Sequence, residues 1–323
     1  MYQAYSKSLI TGSYAITEPG HHGIALGLTP SFYAYKHQDL PSSNTIRIIT
    51  PQFPDDYLYE YKYNVQEITE IGNEAENSPG EKGIRLTIDN PLGSSKFIDS
   101  IVRVTLAYLL TQEGLLKKSG VSVEVFEDKE FISEKFHKKT QPMCEVISLG
   151  GGDRSRHYQL FDRNINEVTK TGLGSSACLI ISVLGILVNE LSGNNETFTQ
   201  KKIEILGQII NSLAQKKIGS GFDIACAVFG SIVYTKMDAA KFSALVTLMD
   251  EISQSIDTGH PIPTVTFPAS NKTLGNPPEF QPPSGQPLFL RKHHPSARVL
   301  ALHGLPRPPK TLQPISYRFR VQF

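Results

Sequence analysis

Residues 170–177, KTGLGSSA, combine the residue types that bind phosphate. Gly172 and Gly174 lack Cβ atoms, so the backbone can curl and direct several N–H groups at one point. The apolar stretch that follows predicts a buried helix from Cys178, whose N-terminus would add the positive end of its dipole. We therefore expect a phosphate-binding loop, to which Lys170 supplies a mobile positive charge.

Two other interpretations of this loop remain open. In the first, Ser175 or Ser176 only caps the buried helix. In the second, the GxGxxA spacing is a weak dinucleotide-binding fingerprint, with Glu190 near the position of a ribose-binding acid. That fold requires an apolar strand before the glycines, whereas residues 164–170, NINEVTK, are mostly polar.

A second glycine-rich segment lies at residues 215–223, QKKIGSGFD. Its two glycines flank Ser220 and predict a tight turn before Asp223 at a helix start, and Lys217 brings positive charge to the same place. The alternative is purely structural, because Ser220 and Asp223 have the S-x-x-[DE] spacing of a capping box. Capping does not account for both glycines and the lysine.

The remaining pattern of residues 1–260 alternates strands and helices and predicts an α+β fold. Segments rich in β-branched and aromatic residues between Pro, Gly and Asn predict strands at 46–53, 57–68, 83–88, 121–126 and 231–236. Apolar spacings of three and four predict helices at 96–112, 178–191, 198–215, 223–228 and 238–252. Residues 133–141, with three lysines, predict an exposed loop.

Composition excludes several classes of protein. The formal net charge of +1 gives no bulk electrostatic reason to bind nucleic acid or acidic lipid. Three cysteines without a CxxC pair indicate neither a disulfide framework nor a zinc site, and favour a reducing, cytoplasmic location. No signal peptide is expected, and the apolar stretch 177–188 is too short to span a bilayer. The sequence indicates no oligomeric state.

The composition changes sharply near residue 260. Residues 261–323 hold 13 of the 21 prolines, and eight Lys or Arg against a single acid, Glu279. Such a segment sustains neither helix nor central strand. We expect a domain at 1–255, followed by an irregular or disordered tail at 256–323.

These motifs together resemble the GHMP small-molecule kinases over roughly residues 4–240. The resemblance is carried by Lys7 in AYSKSLITG, by KTGLGSSA before a buried helix, and by KIGSGFDIACAVFGSIVY. It implies a ribosomal-protein-S5-domain-2-like fold for the N-terminal domain. It also implies an activity, the ATP-dependent phosphorylation of the small molecule 5-phosphomevalonate to 5-diphosphomevalonate. In this branch of the family, that reaction belongs to the synthesis of isoprenoid and sterol precursors.

The resemblance also implies roles for individual residues. Asp223 would be the active-site carboxylate, and Lys7 and Lys217 would neutralise the transferring and accepting phosphates. Ser220 and Gly221 would lie at the substrate, and Ser176 would contact Mg²⁺. The ATP phosphates would lie against Lys170, Gly172, Leu173, Gly174, Ser175, Ser176 and Ala177.

The sequence departs from the family pattern in several places. Tyr5 and Ser6 replace the Pro and Gly of the usual APGK, Asn211 replaces a histidine, and Lys216 stands where glycine is usual. A third motif of the type SGAGGGD, in the family's C-terminal domain, has no counterpart after residue 240. The alternative to an active kinase is therefore a truncated, inactive nucleotide-binding remnant, and little turnover is expected from this chain.

Overall fold

The computed structural model describes residues 1–262 except for ten short gaps. These gaps are residues 19, 42, 54–57, 69–82, 112–114, 134–145, 150–155, 160, 162–167 and 194–197, and only the backbone is described at 146–149 and 156–159. Most of the predicted loop at 133–141, and the tail beyond residue 262, therefore lie outside the described residues.

The described residues form ten strands and five α-helices. The strands are β1 Tyr2–Thr11, β2 His22–Asp39, β3 Thr45–Ile49, β4 Leu58–Ile68, β5 Gly83–Leu92, β6 Val121–Glu127, β7 Val146–Leu149, β8 Arg156–Gln159, β9 Ile232–Thr235 and β10 Pro261–Ile262. The helices are α1 Lys96–Thr111, α2 Ser175–Leu191, α3 Gln200–Gln215, α4 Phe222–Phe229 and α5 Ala239–Thr258. The α+β class predicted from the sequence is confirmed.

The main sheet has the strand order β1-β2-β6-β3-β4-β5-β10, with β9 also paired to β2. Its neighbours are antiparallel except for β3 and β6, which are parallel. β7 and β8 form a separate antiparallel pair. This pairing differs from the parallel, doubly wound sheet of a dinucleotide-binding fold, so the interpretation of the first loop as a dinucleotide-binding fingerprint is wrong.

Strand β2 was not predicted from the sequence, although it is 18 residues long and pairs with three other strands. Its glycines and Pro30 interrupt the run of β-branched and aromatic residues that would predict a strand, and they resemble turn signals instead. The register between β1 and β2 shifts where Tyr5 pairs with Ser31 and Ser6 with Leu28, so Pro30 lies in a bulge. A proline is tolerated there because a bulged residue is not paired in the strand ladder, so its missing backbone N–H breaks no hydrogen bond between strands.

Helix α2 lies at the centre of the domain. It packs on β1, β2 and β6 and against α1, α3 and α4. Its apolar side chains are buried nearly all round, from Ala177 to Leu191, as the sequence predicts. No helix within the described residues is long and apolar enough to cross a membrane.

The folded region extends past the predicted boundary at residue 255. Helix α5 continues to Thr258 and ends at Gly259, which adopts a left-handed φ of 69°. Pro261 and Ile262 then pair with β5, opposite Arg85 and Ile84. A proline can begin this short strand because it lies at the edge of the sheet. By its contacts the chain divides into units Met1–Glu279 and Phe280–Phe323, and the second lies outside the described residues.

Candidate functional site

The first glycine-rich loop leads directly into helix α2. Gly174, with a φ of 86°, is the N-cap of α2, and Gly172 also has a left-handed φ, 81°. The helix therefore begins at Ser175, three residues before the predicted start. No side chain caps it, so the interpretation of Ser175 or Ser176 as a simple cap is wrong. The first N–H groups of α2 keep their capacity to bind an anion.

Backbone hydrogen bonds hold this loop against two other segments. Lys170 forms an isolated antiparallel bridge with Ile132. The Thr171 N–H donates to the Phe131 carbonyl, with 3.0 Å between N and O. On the other side, the backbone N–H of Lys7 in β1 donates to the Leu173 carbonyl at 3.0 Å. The loop is thus held by β1 on one side and by residues 130–132 on the other, where the Thr171 hydroxyl also donates to the Glu130 carbonyl at 2.8 Å.

The side chain of Lys7 lies between the two glycine-rich loops. Its Nζ donates to the Gly172 carbonyl at 3.2 Å and lies 5.3 Å from the centroid of the Phe222 ring, within the range of a cation–π interaction. The lysine stem passes close to Gly174, where a Cβ would lie 3.2 Å from both Cγ and Cε. One ammonium group therefore contacts the first loop and the residue next to Asp223.

The second loop leads into helix α4 in the same manner as the first leads into α2. Gly221, with a φ of 85°, is the N-cap of α4, and no side chain caps the helix. The alternative interpretation of Ser220 and Asp223 as a capping box is therefore wrong. The Asp223 Oδ1 instead accepts from the Ile224 N–H at 3.0 Å, and the Ser220 carbonyl accepts from the Tyr234 hydroxyl at 2.6 Å.

Lys217 lies in the exposed turn between α3 and α4. Lys216 ends α3 with a left-handed φ of 53°, and the Lys217 N–H donates to the Ser212 carbonyl at 3.1 Å, which completes a Schellman motif. The left-handed φ at position 216 explains why glycine is usual there in the family, although this chain has a lysine. In the described part of the chain, no ion pair joins Lys217 to Asp223.

Two buried thiols lie beneath the loops. The Cys178 Sγ donates to the Tyr5 carbonyl at 3.2 Å, and the Cys226 Sγ donates to the Gly230 carbonyl at 2.9 Å. Burial raises the pKa of both thiols, to about 12 for Cys226. The charge of Asp223 raises the pKa of both thiols further, whereas that of Lys7 lowers both. Lys7 and Asp223 therefore act on the same region, and the neutral thiols serve as packing groups.

Glu127, at the end of β6, is a buried carboxyl group on the Lys170 side of the site. Burial raises its pKa to about 7, and the nearby ammonium of Lys170 partly opposes this shift. Its backbone N–H and carbonyl are both bonded to the side chain of Gln52, at 2.6 and 3.0 Å. The charge of Lys170, at the start of the first glycine-rich loop, therefore acts on the Glu127 carboxyl group at the end of β6.

Sequence reasoning did not assign roles to Phe222, Glu127, Gln208 or Tyr234. Phe222 lies inside the second glycine-rich motif, KIGSGFD, and Glu127 is an acidic residue at the end of a mostly buried strand. Both positions could therefore have been selected from the sequence alone. Gln208 and Tyr234 reach the second loop only through tertiary packing. Among the described residues, no cluster of three or more His, Cys, Asp or Glu side chains is arranged to hold a metal ion.

The comparison with protein families agrees with the two-loop geometry. Residues 155–231 match the family model described as the GHMP kinases N terminal domain. This segment contains both glycine-rich loops and helices α2, α3 and α4. The resemblance to GHMP kinases predicted from the motifs is thereby confirmed.

Within that family the similar curated proteins are phosphomevalonate kinases. The chain is 28% identical over 260 residues to "Phosphomevalonate kinase" of Candida albicans, covering 80% of this chain and 53% of the relative. It is 24% identical to "Phosphomevalonate kinase, peroxisomal" of Arabidopsis thaliana, covering 72% and 49%. The chain thus spans about half the length of the curated relatives it matches.

A solved structure of phosphomevalonate kinase from Streptococcus pneumoniae, in complex with phosphomevalonate and AMPPNP, is also similar. The TM-score is 0.44 at 15% identity, covering 77% of this chain and 52% of that chain.

Proposed function

We propose that the protein catalyses ATP-dependent phosphorylation of 5-phosphomevalonate to 5-diphosphomevalonate, in the mevalonate pathway to isoprenoids and sterols. The observation that carries the proposal is the position of Lys7. Its ammonium lies 3.2 Å from the Gly172 carbonyl and 5.3 Å from the ring centroid of Phe222, the residue that precedes Asp223 in the sequence. A cation between two loops that lack side-chain caps suits the transfer of a phosphoryl group between two anions.

The N-terminus of α2 is the proposed site of the ATP phosphates. Gly172 and Gly174 adopt left-handed conformations, and no side chain occupies the first N–H groups of the helix. The Ser176 hydroxyl, which is not used as a cap, is the proposed protein ligand of Mg²⁺. Mg²⁺ prefers oxygen ligands and usually keeps several waters while it binds substrate phosphates. When bound, it would neutralise part of the phosphate charge.

The acceptor determines what Asp223 must do. A phosphate monoester has a second pKa of about 6, so the acceptor is already mostly a dianion at neutral pH. Asp223 therefore need not remove a proton, and its proposed role is to orient Lys7 or the metal. Lys7, Lys170 and Lys217 are the proposed cations that offset the repulsion between the two polyanions, and Ser220 and Gly221 remain the proposed acceptor-side residues.

The test separates nucleotide binding from turnover. Calorimetry of the chain with Mg·ATP should detect binding, and Ser176→Ala should weaken it about tenfold because a metal contact is lost. Asp223→Asn should keep the affinity for Mg·ATP within about twofold and lower ADP release with 5-phosphomevalonate by at least tenfold. Binding without Asp223-dependent ADP release would favour the nucleotide-binding remnant, and absence of binding would overturn the proposal.

We also propose the cytoplasm as the location of the protein. Cys178 and Cys226 are free and buried, which suits a reducing compartment. The Arabidopsis relative carries the name peroxisomal. Fluorescence imaging of the full chain with a tag at either end distinguishes a diffuse cytoplasmic signal from a punctate peroxisomal one.

A further inference from the structure

The loop that carries Asp223 lacks the usual means of holding a helix N-terminus. Helix α4 has a glycine N-cap, Gly221, and no side-chain cap. Among the described residues, the Asp223 carboxylate accepts a hydrogen bond from the adjacent Ile224 N–H, which does not tie the loop to another element. Some other group must therefore determine where the loop lies relative to Lys7.

Tyr234 in β9 supplies such a contact. Its hydroxyl donates to the Ser220 carbonyl at 2.6 Å, and its side chain is only 3% exposed. Strand β9 pairs with β2, with Tyr234 opposite Gly23, so the tyrosine is attached to the main sheet. A buried hydrogen bond to a backbone carbonyl therefore ties the second loop to the main sheet.

Gln208 in α3 holds the loop from the other side. A Cβ on Gly221 would lie 2.4 Å from the Gln208 Oε1 and 2.7 Å from the Tyr234 hydroxyl, so both side chains press against the glycine. A hydrogen bond from Gln208 also acts on Tyr234, lowering a phenol pKa that burial raises. The glycine leaves the space that these two polar side chains occupy.

A buried ion pair orients Gln208. Its Nε2 donates to the Glu204 Oε1 at 2.9 Å, and the other oxygen of that carboxylate accepts from the Lys201 Nζ at 2.5 Å. Glu204 is 2% exposed and Gln208 5%. An ion pair in this environment seldom stabilises a fold more than apolar residues of the same volume would. Its effect here is to fix the direction of the Gln208 amide.

We propose that Tyr234 and Gln208 are positioning residues that fix the Asp223 loop and so set the turnover of the reaction proposed above. The inference rests on that proposed function for its catalytic consequence. Its structural part, the restraint of residues 219–224, is independent of any activity. A displacement of about 1 Å in a reacting group can lower a rate by about 100-fold, so a small loosening of the loop is sufficient.

The test is Tyr234→Phe in the full chain, which removes one hydroxyl. Tyr63→Phe is the matched control, because Tyr63 is also buried and its hydroxyl donates to a backbone carbonyl, that of Ser119, at 2.5 Å. Tyr234→Phe should increase amide hydrogen exchange at residues 219–224 at least tenfold. It should also lower kcat for ADP release roughly 10- to 100-fold, with KM for ATP within about twofold. Tyr63→Phe should leave all three quantities within about twofold.

Gln208→Met, which keeps the side-chain length and removes the amide, should give the same pattern as Tyr234→Phe. Unchanged exchange at 219–224 in both variants, or increased exchange with unchanged kcat, would overturn the inference. A wild-type chain without ADP release would refute the proposed function for this chain, while the exchange measurement would still decide whether the two residues restrain the loop.

Discussion

Glu127 is the side chain whose ionisation we expect to affect stability most clearly. Burial raises its pKa from the ordinary 4.5 to about 7, and its residue is 5% exposed. A carboxyl group with a higher pKa in the folded state holds its proton more tightly there than in the unfolded chain. The folded state therefore loses stability as the pH rises from about 4.5 to about 7, by on the order of 3 kcal/mol in total.

Replacing this carboxyl group should remove that pH dependence. We expect Glu127→Gln to raise the free energy of unfolding, relative to wild type, by about 2 to 3 kcal/mol more at pH 8 than at pH 5. Denaturant unfolding at both pH values measures this difference. Glu67→Gln, at an exposed position of β4, is the control and should show less than about 0.5 kcal/mol. The same difference for both variants would contradict the assignment.

At the level of single residues, the sequence indicated which side chains suit phosphate chemistry, but it did not indicate which residues they contact in the fold. The loop glycines and Asp223 could be selected because their types and spacing suit phosphate binding. The hydrogen bond from Lys7 to Gly172 joins residues 165 positions apart, so no local pattern contains it. Only the resemblance to a family connected Lys7 with the loops. Gln208 and Tyr234 belong to ordinary helix and strand patterns, and their function as restraints arises only after packing.

At the level of the element, both ends of the α3–α4 turn require a left-handed backbone, which is adopted by Lys216 at one end and by Gly221 at the other. Gly221 adopts a φ of 85° in a space already filled by Gln208 and Tyr234. Gly221→Ala should therefore lower the free energy of unfolding by about 2 kcal/mol or more. Gly219→Ala is the control in the same loop, because its nearest neighbouring atom would be 4.0 Å away. Thermal unfolding of the two variants measures the difference, and equal losses would contradict the prediction.

Lys216 adopts the left-handed conformation that glycine adopts without steric cost. Lys216→Gly should raise the free energy of unfolding by about 1 kcal/mol, because a left-handed φ costs an L-residue roughly that amount. Lys217→Gly, at a position without a positive φ, should give no gain, since glycine mainly adds entropy to the unfolded chain. Urea unfolding of both variants is the measurement. If Lys217→Gly raised the free energy of unfolding as much as Lys216→Gly, the gain would come from removing a positive charge and not from the left-handed backbone.

All five described helices were predicted, although α5 extends six residues past its predicted end, whereas strand β2 was not predicted. Helix periodicity is a property of contiguous residues, and α1 and α3 differ from their predicted bounds by two residues or fewer. Strand β1, around Lys7, and strand β2 depend on partners distant in the sequence. Pro30 and the glycines of β2 resemble turn signals until the bulge is known, so the longest strand escaped detection.

At the level of the whole molecule, helix α5 completes the core. Its buried side chains are Phe242, Met249, Ile252 and Ile256. Burial of four such residues contributes about 6 to 12 kcal/mol, which is comparable to the total stability of a typical domain. A chain ending at residue 237 should therefore lack a cooperative thermal transition, whereas one ending at residue 262 should show one by circular dichroism. Cooperative unfolding of the shorter chain would contradict this.

The pairing of β2 with β9 has a consequence for synthesis on the ribosome. His22 lies opposite Thr235, 213 positions later in the chain. At 5–20 residues per second, translation separates the two by roughly 10 to 40 s. During that interval residues 22–25 of β2, which later pair with β9, present an unpaired strand edge. Asp223 and Tyr234 are only 11 positions apart, so the second glycine-rich loop waits for its tyrosine for roughly 0.5 to 2 s. The long-lived hazard in synthesis is therefore the open edge of β2, which is the part of the nascent chain that a chaperone would protect from aggregation.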